Sequence, residues 1–201
     1  MHDFRKLAIC GLISLFLPGA ALAQQAAAPA AAAKPPAIVT MSLGSTSFDD
    51  GGILPTKYAA VNPTAPAPQL SWSGEPATTV SFVVFAHDLQ ADPFPTITHM
   101  HWGFFNIPAS VHSLAEGTPM VATLPDGSIQ LVNAHNTVGW ASPQAGGTIY
   151  HLYVFEIYAL DTKLTLPTTA SADDLTKAMS GHIVGKGAEV ALYHAPPAAP
   201  K

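Results

Sequence analysis

The sequence predicts a mainly β domain, built as an antiparallel sandwich with one or two peripheral helices. Three long runs rich in β-branched and aromatic residues support this prediction: TTVSFVVFAHD (78–88), THMHWGFFNI (98–107) and IYHLYVFEIYAL (149–160). A shorter run of the same kind, AEVALYH, covers 188–194. Connections rich in Pro and Gly separate the runs, as expected for strands joined by turns. The first run is apolar on both faces, which predicts a central strand.

One segment near the C-terminus predicts a peripheral helix. Ser171 can cap its N-terminus, and Asp174 stands three residues later, as in a capping box. Leu175, Met179 and Ile183 follow at intervals of four residues, which places them on one helical face. We therefore expect this apolar face to pack against the sheet.

The N-terminus has the three parts of a secretory signal. Residues 1–23 begin with Arg5 and Lys6, continue with an apolar stretch and end in the small-residue sequence ALA. The apolar stretch is shorter than the ~20 residues that a membrane span needs. The sequence therefore predicts cleavage after Ala23 and export to the periplasm or the medium, with no membrane-spanning segment.

The rest of the chain divides into three segments. Residues 24–37 are an Ala/Pro-rich linker that cannot pack a core, and residues 195–201 are a similar flexible tail. Between them, residues 38–194 are numerous enough to form one domain with a substantial core.

Composition limits the function of the mature chain. Cys10 is the only cysteine and lies in the predicted signal, so disulfides, cysteine-bound zinc and a cysteine nucleophile are excluded. Arg5 is the only arginine and also lies in the predicted signal. The mature chain would therefore contain six basic and twelve acidic residues, with a net charge of −6. Because nucleic-acid binding depends on basic side chains, we expect no nucleic-acid partner.

Polar side chains gather at the ends of the three predicted central strands. They are His87 and Asp88 on the first strand, His99 and His101 on the second, and His151 and Tyr153 on the third. Residues two apart on a strand share a face, so the second and third strands each present two of these groups on one side.

From the residues alone, three interpretations of these groups stay open. His99 and His101, with His151 or Asp88, are of the types that bind zinc or copper. Asp88 with His101 or His151 could instead be an acid–base pair, although no nucleophile motif accompanies it. Each histidine could also be an ordinary residue with a structural partner.

Seven motifs follow one another along residues 47–193. They are SFDDGGILPTKY (47–58), PQLSWSGEP (68–76), SFVVFAHD (81–88), HWGFFNIP (101–108), LAEGTP (114–119), HLYVFEIYALD (151–161) and MSGHIVGKGAEVALY (179–193). In this order and spacing the chain resembles the phosphatidylethanolamine-binding protein family, in its bacterial Raf-kinase-inhibitor-like branch. The resemblance covers about residues 41–193.

The resemblance implies two antiparallel sheets with Greek-key connections. It also implies a small pocket at one end of the central sheet for phosphate-like anions and phospholipid head groups. The family's acidic motif, D-P-D-A-P, corresponds to DLQAD (88–92), so Asp88 matches the first Asp and Gln90 replaces the second. His101 and His151 match the two pocket histidines of the family.

A second pocket segment of the family has diverged here. The family's G-x-x-G-P-C-P-P loop corresponds to GWASPQAG (139–146), in which Gly139 and Pro143 are retained. The resemblance gives no role to His99, for which a structural or rim position is expected.

The sequence therefore predicts an exported, non-enzymatic protein that binds a small anionic or zwitterionic ligand. We expect Asp88, His101, His151 and Tyr153 to contact this ligand, and we expect no cofactor and no metal. A homodimer is compatible with the sequence. Two other functions stay open: a partner-binding or inhibitory role toward another exported protein, and a histidine-based metal-dependent or hydrolytic activity.

Export can be tested on the processed chain. Because the ALA site precedes Gln24, mass spectrometry of the protein recovered from the envelope or the medium should give a chain that begins at Gln24. Recovery of the protein from the cytoplasm with Met1 intact would contradict the prediction.

Overall fold

The computed structural model describes residues 37–91 and 99–196. The predicted signal, the predicted linker up to residue 36, Asp92 of the acidic motif and residues 197–201 lie outside the described residues. Among the helices of the described part, none combines the length and the apolarity that crossing a bilayer requires.

The described residues form ten β-strands, one 3-10 helix (Thr56–Tyr58) and one α-helix, α1 (Ala172–Met179). The strands are β1 (Val39–Thr40), β2 (Ser42–Gly44), β3 (Gly52–Ile53), β4 (Leu70–Ser73), β5 (Ser81–Asp88), β6 (Met100–Pro108), β7 (Ser113–Leu114), β8 (Ile129–Gln130), β9 (His151–Leu160) and β10 (Ile183–Tyr193).

These strands form two sheets. The large sheet has the order β1-β10-β9-β5-β6-β8, with β3 also paired to β10, and the small sheet has the order β2-β4-β7. Pairing is antiparallel except where β1 and β3 run parallel to β10. The predicted mainly β architecture of two sheets with a peripheral helix is confirmed, with two short parallel pairs added along β10.

The prediction of a central strand is confirmed by β5. This strand lies between β9 and β6, and all of its residues are buried. A strand covered on both faces can carry apolar side chains throughout, which is why its sequence does not alternate. The last predicted strand is also confirmed, although β10 begins earlier, at Ile183.

Helix α1 begins as predicted and ends earlier than predicted. The amide of Asp174 donates to Oγ of Ser171 at 3.1 Å, and the amide of Ser171 donates to Oδ2 of Asp174 at 3.1 Å, which together form the capping box. Met179 is the last helical residue, and Gly181 then takes a left-handed φ of 83°. The assignment of Ile183 to this helix is wrong, because the turn at Gly181 sends the chain into β10.

Strand alternation divides the apolar side chains between two cores. The first core lies between the two sheets and the second lies between the large sheet and α1. Members of the first core include Trp72, Phe82, Trp102 and Phe155, and members of the second include Val83, Phe85, Leu175 and Met179. Burial of each large side chain is worth about 1.5–3 kcal/mol relative to exposure, so the two cores supply most of the cohesion of a domain without disulfides.

A β-bulge near the start of β6 determines where His101 points. Two adjacent residues of β5 lie opposite Met100 and Trp102, which leaves His101 as an extra residue on β6. In a regular strand Met100 and Trp102 would share a face, but Met100 packs in the second core and Trp102 in the first. The ring of His101 lies 5.1 Å from that of Tyr153, on the side of the first core. The bulge therefore directs His101 and Trp102 to the same face.

Glu189 is a buried carboxyl group on β10. It is 5% exposed, and its Oε2 has no hydrogen-bond partner among the described residues. Burial, followed by the negative charge of Asp50, raises the pKa of Glu189 to about 7. The folded chain therefore holds a proton on Glu189 at pH values at which the unfolded chain has lost it. The stability contributed by this proton is complete below the ordinary glutamate pKa and is lost as the pH rises through 7.

The variant Glu189→Gln tests this assignment, because glutamine cannot ionise. We expect the variant to gain stability over the wild type as the pH rises from 5 to 8, by on the order of 1 kcal/mol. Urea unfolding at the two pH values measures the difference. Glu75→Gln is the matched control and should show no such gain, since hydrogen bonds from its own backbone amide and from His112 lower the pKa of Glu75. A Glu189→Gln effect that is the same at pH 5 and pH 8 would contradict the prediction.

Candidate functional site

Side chains from three strands surround a cavity of about 250 Å³ at one end of the large sheet, hereafter the strand-end cavity. Asp88 is the last residue of β5, and His101 is the second residue of β6. His151 and Tyr153 lie at the start of β9. The structure thus brings together all four residues that the sequence analysis selected as the ligand contacts.

Asp88 is the acceptor around which the cavity is organised. Its side chain is almost fully buried, and its Oδ2 accepts a hydrogen bond from Nδ1 of His151 at 2.7 Å. Its Oδ1 accepts one from the backbone amide of Gln90 at 2.8 Å. Asp88 also lies opposite Tyr153 in the β5–β9 register, and both side chains line the cavity. A carboxylate offers about four lone pairs, so Asp88 keeps acceptor capacity for a ligand.

Gln90 takes a supporting role in place of the family's second acidic residue. Its backbone amide orients Asp88, and its Oε1 accepts a hydrogen bond from the amide of Leu152 at 2.6 Å. The side chain thereby ties the segment after β5 to the start of β9. The replacement removes a negative charge beside Asp88 and keeps the two strand ends together.

Tyr153 presents a hydroxyl group that stays protonated. Burial raises the pKa of Tyr153, and the negative charge of Asp88 raises it further. The ring stacks at 20° on the imidazole of His151 with 6.4 Å between centroids. The hydroxyl therefore stays a neutral donor, and the stacked rings of Tyr153 and His151 form this wall.

His101 is a neutral imidazole with one nitrogen already engaged. It is 2% exposed, and its Nδ1 lies 2.5 Å from the carbonyl oxygen of Ala141. A carbonyl oxygen only accepts, so Nδ1 carries the proton. Burial lowers the pKa of His101 to about 4, so the ring stays neutral between pH 6 and pH 8. Its Nε2 is buried and has no partner among the described residues, so it offers a lone pair to the cavity.

Three imidazoles lie close together in the wall of the cavity. His99 lies just before β6 rather than on it, with its ring 5.0 Å from that of His101, and His135 lies 5.9 Å and 5.8 Å from these two rings. Burial lowers the pKa of His99. Within residues 37–91 and 99–196, no group of three or more His, Cys, Asp and Glu side chains is arranged to hold a metal ion. The metal interpretation of His99 and His101 therefore gains no support from the described geometry.

Two lining residues, His135 and Gln144, were missed by the sequence analysis. His135 lies two residues after Asn133. Oδ1 of Asn133 accepts hydrogen bonds from the backbone amides of His135 at 2.9 Å and Thr137 at 3.2 Å, which fixes the turn. The Asn-x-His spacing is a turn signal that could have identified this loop, although it gives no hint of the cavity. Gln144 lies in the GWASPQAG loop, which the family comparison had already placed at the pocket.

His87 does not belong to the strand-end cavity. It neighbours Asp88 along β5 and therefore points to the opposite face, where its Nδ1 lies 3.7 Å from Oε2 of Glu156. Its burial lowers its pKa. His87 thus lies on the face of the large sheet opposite the strand-end cavity.

The chain belongs to the phosphatidylethanolamine-binding protein family. The sequence profile described as "Phosphatidylethanolamine-binding protein" matches residues 44–194, which include all the residues of the strand-end cavity. The resemblance recognised in the motifs is therefore confirmed.

Individual relatives agree with this assignment. A UPF0098 protein of Methanothermobacter thermautotrophicus is 37% identical over 153 residues, which cover 76% of this chain and 98% of the relative. YbhB of Escherichia coli, also a UPF0098 protein, is 32% identical over 72% of this chain and 89% of its own. The crystal structure of Escherichia coli YbcL matches with a TM-score of 0.67 and 25% identity, covering 78% of this chain and 99% of that one. A putative phosphatidylethanolamine-binding protein homologue from Chlamydia trachomatis has the same TM-score and coverage at 27% identity.

The depressed pKa of His101 predicts a specific loss of stability in acid. The folded pKa of about 4 lies below the ordinary histidine value of 6.5. The contribution of the neutral ring is therefore complete above pH 6.5 and is lost as the pH falls toward 4, by about 2 kcal/mol between pH 7.5 and pH 5. In the variant His101→Asn, the asparagine side chain does not titrate, and its amide can still donate to the carbonyl oxygen of Ala141.

Urea unfolding of the wild type and His101→Asn at pH 7.5 and pH 5 measures this loss. The wild type should lose more stability than the variant on acidification. His182→Asn, at an exposed histidine, is the control and should follow the wild type. Parallel losses in the wild type and His101→Asn would show that His101 is protonated in the folded chain.

Proposed function

We propose that this protein is a non-enzymatic binding protein whose strand-end cavity takes a phosphate-bearing, head-group-sized ligand. Asp88, His101, His151 and Tyr153 form the wall against which the ligand lies. The observation that carries the proposal is the convergence of one buried carboxylate and several imidazoles from separate strands on a single cavity of about 250 Å³. Such a small polar cavity in an otherwise apolar sheet end suits a compact polar group.

The donors and acceptors around the cavity suit a zwitterion. The side-chain amide of Gln144 and the ring of His135 can supply N–H groups for phosphate oxygens, and the ring of His151 supplies a second N–H when it is protonated. The remaining acceptor capacity of Asp88 suits an ammonium group, which gains a charge-assisted hydrogen bond there. Phosphoethanolamine carries both groups within a few ångströms of each other and is the probe that best fits this arrangement.

A larger open groove of about 880 Å³ adjoins the cavity and shares His135 and Gln144 with it. Trp140 and Met120 supply apolar surface along this groove. A ligand whose polar group fills the strand-end cavity can therefore extend its remaining part along the groove. This continuity supports a ligand in which the polar group is attached to a larger molecule.

The cavity wall offers little for covalent chemistry. None of the described residues that line it is a Ser, Thr, Cys or Lys. The carboxylate of Asp88 accepts the two hydrogen bonds described above, which reduces its nucleophilicity. These features support binding without turnover.

In this proposal the protein acts outside the cytoplasm. The tripartite sequence of residues 1–23, which contains the sole cysteine Cys10, supports this location. A folded domain that needs no disulfide and no reduced thiol is compatible with an oxidising compartment.

Calorimetric titration with O-phosphoethanolamine at pH 6 tests the proposed function. His151→Ala should weaken binding by about 1.5–3 kcal/mol, the scale of a hydrogen bond to a charged group. His182→Ala is a matched control, because its Nδ1 contacts Asp161 at 2.8 Å, as that of His151 contacts Asp88 at 2.7 Å, but on the exposed surface. The control should leave the affinity unchanged.

Three results would contradict the proposal. One is an absence of binding by the wild type at millimolar phosphoethanolamine, and another is an equal loss of affinity in the two variants. Release of inorganic phosphate from phosphoethanolamine, abolished in His151→Ala, would favour the hydrolytic alternative instead.

A further inference from the structure

The protonation state of His101 restricts what the strand-end cavity can bind. Its Nδ1–H is committed to the carbonyl of Ala141 at 2.5 Å. Its Nε2, which is buried and unpartnered among the described residues, is then a lone pair. A lone pair needs a donor from the ligand, whereas an unprotonated phosphate oxygen would face it with another lone pair.

The carboxylate of Asp88 imposes a related restriction on charge. Asp88 is 3% exposed and lines the same cavity as His101. Inside a protein the repulsion between two negative groups is much less screened than in water. A second negative charge on the ligand is therefore disfavoured beside this carboxylate.

We infer that the cavity binds a phosphate monoester as its protonated monoanion, with the P–OH group donating to Nε2 of His101, and discriminates against sulfate esters. This inference rests on the proposed function and names the ligand form that the same site selects. A sulfate monoester has the shape and the single charge of the phosphate monoanion. It has no proton to donate, so it leaves Nε2 of His101 facing an acceptor oxygen.

The size of the discrimination follows from the cost of an unmade hydrogen bond. Leaving a buried acceptor unsatisfied costs enough to reduce affinity by roughly 10- to 100-fold. Sites built to pair with a ligand hydroxyl reject analogues that lack it for this reason. His101 is thus a specificity-determining residue.

The titration of the ligand itself predicts how its affinity depends on pH. The second pKa of a phosphate monoester is about 6, so the monoanion falls from about half of the ligand at pH 6 to about 1% at pH 8. Affinity for a phosphate monoester should therefore fall roughly 50-fold over this range. The other titratable side chains that face the cavity are Asp88, His99, His135, His151 and Tyr153. Protonation of the histidines would strengthen the binding of either ester, whereas ligand protonation strengthens only the phosphate.

The experiment compares two isosteres on the wild-type protein. Calorimetric titration with O-phosphoethanolamine and with 2-aminoethyl hydrogen sulfate is performed at pH 6 and pH 8. We expect the phosphate ester to bind at least about 10-fold more tightly at pH 6 and to lose this advantage at pH 8. The affinity for the sulfate ester should stay weak at both pH values.

The outcomes separate this inference from the proposed function. Equal binding of both esters, with the same pH dependence, would overturn the inference and leave the proposed function intact. A failure of both esters to bind would overturn the proposed function and the inference with it. A phosphate affinity that does not fall between pH 6 and pH 8 would also overturn the inference.

His101→Gln provides the test at the residue itself. Its side-chain amide reaches the region of Nε2 and can rotate to donate to a sulfate oxygen, so the preference for phosphate should shrink to within about 3-fold. His182→Gln, the exposed control, should keep the wild-type preference. If the melting temperature shows that His101→Gln is unfolded, Asp88→Asn replaces the negative charge with a neutral amide and should flatten the pH dependence. Retention of the full preference by a folded His101→Gln would overturn the role of His101.

Discussion

The hydrogen bonds to the carboxylate of Asp88 hold the site together. They join the ring of His151 and the backbone amide of Gln90 to the last residue of β5. Desolvating a carboxylate is costly unless its lone pairs are used, so each partner is also required for Asp88 to remain buried. The same hydrogen bonds fix the side-chain orientations that any ligand meets. Stability of the strand ends and the shape of the cavity are therefore set by one group.

The bulge in β6 is the second requirement, because it brings His101 to the face on which Asp88 already lies. Without the extra residue, the register of β6 with β5 would not place both His101 and Trp102 toward the first core. The consequence is chemical as well as geometric. Deep burial beside aromatic rings keeps the imidazole neutral, and the carbonyl of Ala141 decides which nitrogen carries the proton. A local backbone irregularity thus determines the hydrogen-bonding character of the cavity.

Much of the fold could be predicted from the sequence because the central strands carry strong apolar signals. The burial of β5, the capping box of Ser171 and the four pocket residues were all accessible, the last through the family motifs. Ile183 was misassigned because an i, i+4 spacing continues across a turn that only the left-handed Gly181 reveals. His135 was missed because its approach to His101 depends on loop packing. The tautomer of His101 depends on a contact with Ala141, 40 positions away, which no local pattern encodes.

The short outer strands have a consequence for how this domain meets other chains. Among the described strands, those at the outer ends of the two sheets, β1, β8, β2 and β7, are each two or three residues long. Long exposed strands act as templates for pairing between molecules, and short ones do not. A second copy of this domain would therefore have little backbone with which to extend either sheet. Self-association of the folded chain would therefore have to proceed through side-chain surfaces rather than through strand pairing.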